Sequence, residues 1–372
     1  MPTVVVVLVL LAAGALAATR SRDTGSSLTA TTEVTPDVAA SGPASLSTQT
    51  LDPLEVTSEV AGRGPVLGGA ADLTVVAGRR ETLTLIDTAT GDIRQVRLPR
   101  SSRPPPGLGT MFTVGPDLLI NHHSAVIRLT PEAGGTPVLL AEQQRAIPTF
   151  DDATVWITDG LTSAVAATAT RVALDGTVIE RVRLPAVARP VAGTADGLVV
   201  SAPGGIAVVN ADGGEEITGS GELVATDGRH LAWVDCESAI RCLLVLGTID
   251  DPDRARAALA PEDVPAGYFG LPTGAFSPDG RWLAFPLYRI DDTGTLERPW
   301  ITVVDVATGV EVFRAQGPFT QAFSAVPLAW SPDSLWLFVA SQEGITSWNT
   351  QTREATPVEL DMEPPRGLAV LP

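Results

Sequence analysis

The chain has 372 residues, 44% of them hydrophobic and 18% charged, with 35 Gly and 30 Pro scattered along it. Its net charge is −18, and all 25 basic residues are arginine. That acidity repels phosphate backbones and anionic lipid headgroups, so nucleic acid is excluded as a partner and a membrane can be met only through a separate apolar segment. Short β-prone runs between turn residues point to an all-β chain, and all-β architectures of this length often form one domain.

In chain order, the first element is an apolar run. Residues 3–19 carry no charge, and a helix over them spans roughly 25 Å, short of a ~30 Å hydrocarbon core. Segment 1–22 therefore reads as a short membrane anchor or as a signal peptide, with Ala15-Leu-Ala17 matching a small-x-small cleavage site. No basic residue precedes the run and Arg20 and Arg22 follow it, a flank that opposes translocation and leaves a cytosolic chain as a third reading. Residues 23–64 are rich in Ser, Thr, Ala and Pro and read as a flexible tether, with 54–60 able to form one short strand. The folded domain is expected over 65–372.

Within that domain the sequence repeats. Ala275-Phe-Ser-Pro-Asp-Gly-Arg-Trp-Leu-Ala-Phe285 matches Ala329-Trp-Ser-Pro-Asp-Ser-Leu-Trp-Leu-Phe-Val339 in register, 54 residues on. Each reads as strand, tight turn, strand: Pro fixes φ, Asp caps the turn, and Gly280 takes a positive φ that Ser334 must adopt under strain. A second unit, Ile86-Asp-Thr-Ala-Thr-Gly91 and Val304-Asp-Val-Ala-Thr-Gly309, is a hairpin turn with Gly at the positive-φ position. These residues resemble the TolB-like, WD40-like β-propeller repeat, in which a Ser-Pro-Asp-Gly turn joins the first two strands of a blade. The strong signature covers only two blades.

Weaker copies extend the pattern. Turns of the first type fall near Asp72, Asp117, Asp152, Asp196, Asp227, Asp279 and Asp333, and turns of the second type near Asp87, Glu132, Asp175, Asp212, Asp250, Asp305 and Asn349. The two sets alternate, which predicts seven four-stranded blades. Gly367-Leu-Ala-Val-Leu-Pro372 resembles the start of an inner strand, so the C-terminus is expected to complete the first blade and close the ring.

In a propeller, the connections between strands two and three and between blades open on one face, here termed the loop face. The remaining turns open on the opposite, turn face. The long insertions, 100–109, 158–170, 251–272, 288–299 and 317–326, all fall on the loop face. Function is expected there, since loops on a rigid scaffold carry binding. The ligand-face candidates are Arg79, Arg80, His122, His123, Tyr268, Arg289, Asp291 and Asp292. His122-His123 lacks a third ligand nearby, and neither Asp291-Asp292 nor Asp250-Asp251 with Asp253 forms a recognised calcium loop, so no metal and no cofactor are expected. Trp282 and Trp336 recur at equivalent strand positions and read as blade packing. There is no Gly-x-Ser-x-Gly elbow, and a lysine-dependent phosphate loop is impossible without lysine.

Cys236 and Cys242 lie on what read as neighbouring strands of one hairpin, and in an exported protein such a pair forms a disulfide. The resulting expectation is a monomeric, non-catalytic propeller, anchored to the cell membrane facing outside or secreted, that binds a protein or cell-envelope component through its loop face. The alternative is a propeller glycoside hydrolase or lyase using acidic residues in the central funnel.

Overall fold

A computed structural model describes residues 46, 48–67, 72–99, 108–122, 125–130, 136–142, 144–158, 167–202, 205–218, 221–238, 241–251, 255–257, 274–287, 300–316, 327–359 and 364–372. Among these residues the chain forms thirty strands and no helix. The apolar segment 1–22 lies outside them.

The strands make seven antiparallel sheets, the blades. Blade 1 holds β2 (Glu55–Val60), β3 (Thr74–Arg79), β4 (Thr82–Asp87), β5 (Ile93–Arg97) and the C-terminal β30 (Gly367–Leu371), in the order β2-β5-β4-β3-β30. Blade 2 runs from β6 (Leu108–Val114) through β7 (Asp117–His122) to β9 (Val138–Glu142), with β1 (Gln49–Thr50) added outside β9. Blades 3 to 7 have four strands each. They begin at β10 (Arg145–Pro148), β14 (Arg189–Gly193), β18 (Glu222–Thr226), β22 (Ala275–Phe276) and β26 (Leu328–Trp330). First strands of neighbouring blades touch one another around the ring, as β30 does β6 and β10 does β14, so they form its inner wall.

The seven blades and the C-terminal closure are as the sequence indicates. β30 pairs with β3 from Thr74↔Leu371 to Gly78↔Gly367. Each blade is sandwiched between two others, so its second strand is buried on both faces. That is why these strands read as unbroken apolar runs: Trp282–Leu287 and Trp336–Ser341 are buried along their whole length. The core lies between the blades. Leu83, Leu85, Ala369 and Leu371 of blade 1 meet Leu118, Ile120 and Ile127 of blade 2. Between blades 6 and 7, Trp348 stacks on Phe313 at 5.0 Å and meets Trp282 and Trp330 edge-on, each at 6.3 Å.

The turns work as their chemistry predicts. Ser277 Oγ donates to Asp279 Oδ1 at 2.6 Å and accepts the Trp282 N–H at 2.9 Å, and Asp279 Oδ1 accepts the Arg281 N–H at 3.0 Å. The Ser331, Asp333, Trp336 turn repeats this arrangement. Gly280 has φ 69° and Ser334 φ 61°, both left-handed.

Two boundaries need correction. The interval 23–64 is not all tether. Leu46 N–H donates to the Gly176 carbonyl of blade 3, β1 pairs with β9 in blade 2, and β2 pairs with β5 in blade 1. Leu46 packs on the core between blades 2 and 3, and Leu51 and Leu54 on the core between blades 1 and 2. Residues 46–60 thus form a strap across three blades, and β2 is the one strand expected at 54–60. Three leucines suffice because the outer edges of blades 1 and 2 supply ready backbone partners. The insertion expected over 251–272 is also interrupted, since the fourth strand of blade 5 is β21 (Arg256–Ala257).

Deletion of residues 366–372 removes β30, with Leu368, Ala369, Val370 and Leu371 all at most 4% exposed. The expected cost is on the order of 5 kcal/mol, read by calorimetry as a large drop in Tm or loss of folded protein. An unchanged Tm would show that the ring closes without this strand.

Candidate functional site

The first strand of each blade runs from the loop face to the turn face, so its first residue stands at the loop-face mouth of the central channel. In blades 3, 4 and 5 those residues are Arg145, Arg189 and Glu222, all exposed. Crowding at the mouth raises the Glu222 carboxyl above its ordinary pKa, an effect that the Arg189 charge opposes. Just before Arg189, the Ala188 N–H closes a turn on the Pro185 carbonyl at 3.2 Å. The third residue of that turn is Val187, held at φ 59° and 52% exposed. A β-branched residue in the left-handed region is strained, and such strain clusters at binding sites.

Of the residues proposed from sequence, three are described. Arg80 is exposed in the two-residue hairpin after β3, at φ 49°. Arg79 ends β3 and its Nη1 lies 3.5 Å from the Pro364 carbonyl, so it braces the approach to the closing strand. His122 ends β7 and is 1% exposed. It is set into the blade rather than presented to a ligand. His123, Tyr268, Arg289, Asp291 and Asp292 lie outside the described residues. Arg145, Arg189, Glu222 and Val187 went unread in the sequence. The available signal was their position, each at the end of a connection from one blade to the next.

Polar contacts lace the blades together, the first at the loop-face end of the inner strands and the others on the turn face. Asn121 of blade 2, 5% exposed, donates to the Ala146 carbonyl at 3.0 Å and accepts the Ala146 N–H at 2.7 Å, tying itself to blade 3. In blade 3, Asp151 accepts from Arg171 Nη2 at 2.7 Å. Burial pushes the Asp151 carboxyl up, but hydrogen bonds from Thr154, the Ala153 N–H and Arg171 outweigh it and hold the group below the usual range. The Phe150 ring lies 6.0 Å from the Arg171 guanidinium and 5.8 Å from that of Arg229 in blade 5. His230 Nδ1 meets Asp227 Oδ2 at 2.8 Å, and its ring lies 5.5 Å from Phe276 of blade 6. Gly280 seats against this imidazole, since a Cβ there would come within 2.4 Å of Cε1. The Asp279 N–H donates to Ser334 Oγ of blade 7 at 3.0 Å. These groups act as fasteners between blades.

A groove of ≈ 690 Å³ opens where blade 1 meets the Pro116 turn of blade 2, with Leu85 and Leu371 in its floor. Among the described residues, no three His, Cys, Asp or Glu side chains converge as metal ligands. In blade 5, β19 (His230–Ser238) and β20 (Arg241–Thr248) place Cys236 opposite Cys242 as Cα partners.

No protein-family model matches this sequence, and no curated protein matches it. Its likenesses are structural. An acylaminoacyl peptidase of Pyrococcus horikoshii superposes with TM-score 0.53 at 10% identity, over 81% of this chain and 53% of that one. The Cps50 (Swd1) β-propeller domain of Myceliophteria thermophila gives 0.50 at 15% identity, over 82% of this chain and 100% of that domain. TolB of Acinetobacter baumannii gives 0.47 at 14% identity, over 81% of this chain and 66% of that one. The chain thus spans less than two thirds of the peptidase and of TolB. At these identities the likeness establishes the fold alone: a seven-bladed β-propeller.

Two predictions test the fasteners. Ser334→Ala loses the hydroxyl that accepts from Asp279 and is expected to cost about 1 kcal/mol. Ser334→Gly loses the same bond but relieves left-handed strain of roughly 1 kcal/mol, and should stay near wild type. Urea denaturation distinguishes them, and equal losses would mean that φ strain is unimportant. For His230, the Asp227 hydrogen bond raises the imidazole pKa above 6.5, burial opposing. The folded-state pKa is the higher one, so the contribution is complete below 6.5 and is lost as pH rises through the raised value. For Asp227, burial pushes the carboxyl up, but hydrogen bonds led by His230 hold it below 3.8, so its contribution is present above 3.8 and is lost as pH falls through the lowered value. His230→Gln should therefore destabilise more at about pH 5.5 than at about pH 8.5. A pH-independent difference in urea midpoint would reduce His230 to a packing residue.

Proposed function

We propose that this chain is a non-catalytic binding propeller that works outside the cytoplasmic membrane and holds a protein or cell-envelope ligand on its loop face. The observation that carries the reading is Val187, an apolar side chain kept strained and half exposed beside the channel mouth. Folding alone gains nothing from a β-branched residue there, whereas a ligand gains an apolar anchor. Arg145, Arg189 and Glu222 add charge of both signs around that anchor, suited to a polar rim. The extracytoplasmic part rests on the uncharged run over 3–19 and on the facing cysteines.

The enzymatic alternative is favoured by one observation, the raised pKa of Glu222 at the funnel mouth, which suits a general acid. It needs a second carboxylate across the channel. The first-strand residues described in the two preceding blades are Arg145 and Arg189, which favour binding.

A photo-crosslinking residue at position 187 in intact cells should give a discrete adduct. The same residue at 179, equally exposed on the outer strand of blade 3, should not. Arg189→Glu should lower the yield about tenfold. Adducts of equal strength at both positions would remove the loop-face assignment. Thiol alkylation without reductant should leave Cys236 and Cys242 unlabelled. Labelling at both would place the domain in a reducing compartment.

A further inference from the structure

Blade 1 ends on β2. All six of its residues are exposed, Val56 at 49% and Val60 at 57%. Among the described residues no strand lies beyond β2 in its sheet, so there one edge presents N–H and C=O groups without a strand partner. The C-terminal end of β2 forms a wall of the ≈ 690 Å³ groove, through Glu59, Val60 and Ala61. That volume falls within the roughly 300–1,000 Å³ of ordinary ligand pockets.

The groove has a definite chemistry. Its floor is apolar, with Leu371 3% and Leu85 7% exposed. Its rim carries Glu59, Asp87 and Asp92 against the single cation Arg94. Two of the carboxylates are fixed in place. Asp87 Oδ1 accepts the N–H groups of Ala89 at 2.8 Å and Thr90 at 3.0 Å, and Asp92 Oδ1 accepts that of Gly62 at 2.6 Å. The Gly62 bond also holds the Asp92 carboxyl below its ordinary range.

We propose that the β2 edge and this groove together bind a basic, extended segment of a partner protein by strand addition. Backbone groups of the incoming strand pair with β2, an apolar side chain enters the groove over Leu85 and Leu371, and a flanking cation meets the carboxylate rim. Charge selects the occupant. A second copy of this chain would bring Glu55 and Glu59 against their own counterparts, in a molecule of net charge −18. The acidic edge that deters self-pairing therefore attracts a basic strand.

The test uses the whole chain and three blocked seven-residue peptides that alternate Lys with Val, Glu with Val, and Lys with Ser. The Lys/Val peptide is expected to bind by fluorescence anisotropy and to slow hydrogen exchange of the 55–60 amides. Glu59→Gln should weaken it several-fold, and Val60→Asp should weaken it as well, both leaving Tm unchanged because these side chains are exposed. Substitutions at Val187 and Arg189 should leave peptide binding intact, which separates this site from the loop-face reading. Equal binding of the Lys/Ser peptide would reduce the effect to net charge, and equal binding of the Glu/Val peptide would remove the charge selection. Lys/Val binding without protection of 55–60 would rule out strand addition. A dimer in sedimentation that protects β2 without peptide would hand the edge to a second copy. Each of these outcomes overturns the proposal, as does no binding at all.

Discussion

The antiparallel pairing of β3 with β30 is the constraint on which the rest of the molecule depends. It joins segments nearly three hundred residues apart, from Thr74↔Leu371 to Gly78↔Gly367. Until it forms, blade 1 lacks its inner strand, and Leu83 and Leu85 lack the Ala369 and Leu371 side chains that complete their core. The pairing is also the most non-local of all, so its loop-closure entropy must be met by burial gained at the same time. The strap over 46–60 reinforces this seam from outside. It crosses blades 3, 2 and 1, placing Leu51 and Leu54 on the blade 1–blade 2 core that β30 completes from within. The ring is thus fastened at its inner and outer radius on the same side.

The two faces divide the work. On the turn face, short side chains spend their hydrogen-bonding capacity on the backbone: Asp87, Asp151, Asp227, Asp279 and Asp305 each accept from N–H groups two or three residues on. Ser334 also reaches across blades, to Asp279. Acidic residues there are structural, although they contribute to the −18 charge. At the loop-face channel mouth the described charges, Arg145, Arg189 and Glu222, are exposed, and the one apolar neighbour in a strained conformation is Val187. Rigid turns below and exposed groups above are what a binding scaffold requires.

How much of this was legible follows from how local each interaction is. The Asp-centred turns were readable because an Asx turn is written within four or five residues, as at Asp87, Asp151, Asp227, Asp279 and Asp305. Ser334 was readable as a left-handed residue for the same reason: its register with Gly280 fixes its φ. The closing strand was readable because it resembles an inner strand already present at Leu328. Of the strap only the strand at 54–60 was readable; its docking was not, since Gln49, Thr50 and Glu55 to Val60 carry no apolar period and pair with Ile93 to Arg97 and Val138 to Leu139, far along the chain. Nor was the burial of His122, because a strand covered on both faces offers no polar phase to mark which end is wet. The grouping of Arg145, Arg189 and Glu222 is set by the ring itself, and no spacing along the chain encodes it.

The strap gives the N-terminal half of the chain a role beyond connection. Had residues 46–60 been a plain tether, blades 1 and 2 would each present β5 or β9 as their outer edge. β5 carries Arg94 and Arg97, and an edge with that charge would attract acidic strands. By adding β2, the chain sets acidic side chains beside those arginines, pairing Arg97 with Glu55 at 2.9 Å and setting Glu59 opposite Arg94 in register. The exposed edge thereby changes sign, from cationic to acidic, in line with the rest of the surface. Whatever approaches blade 1 from outside therefore meets a strand whose charge is set by the N-terminal segment rather than by the propeller, and that segment is joined to the apolar run that the sequence reads as an anchor or signal.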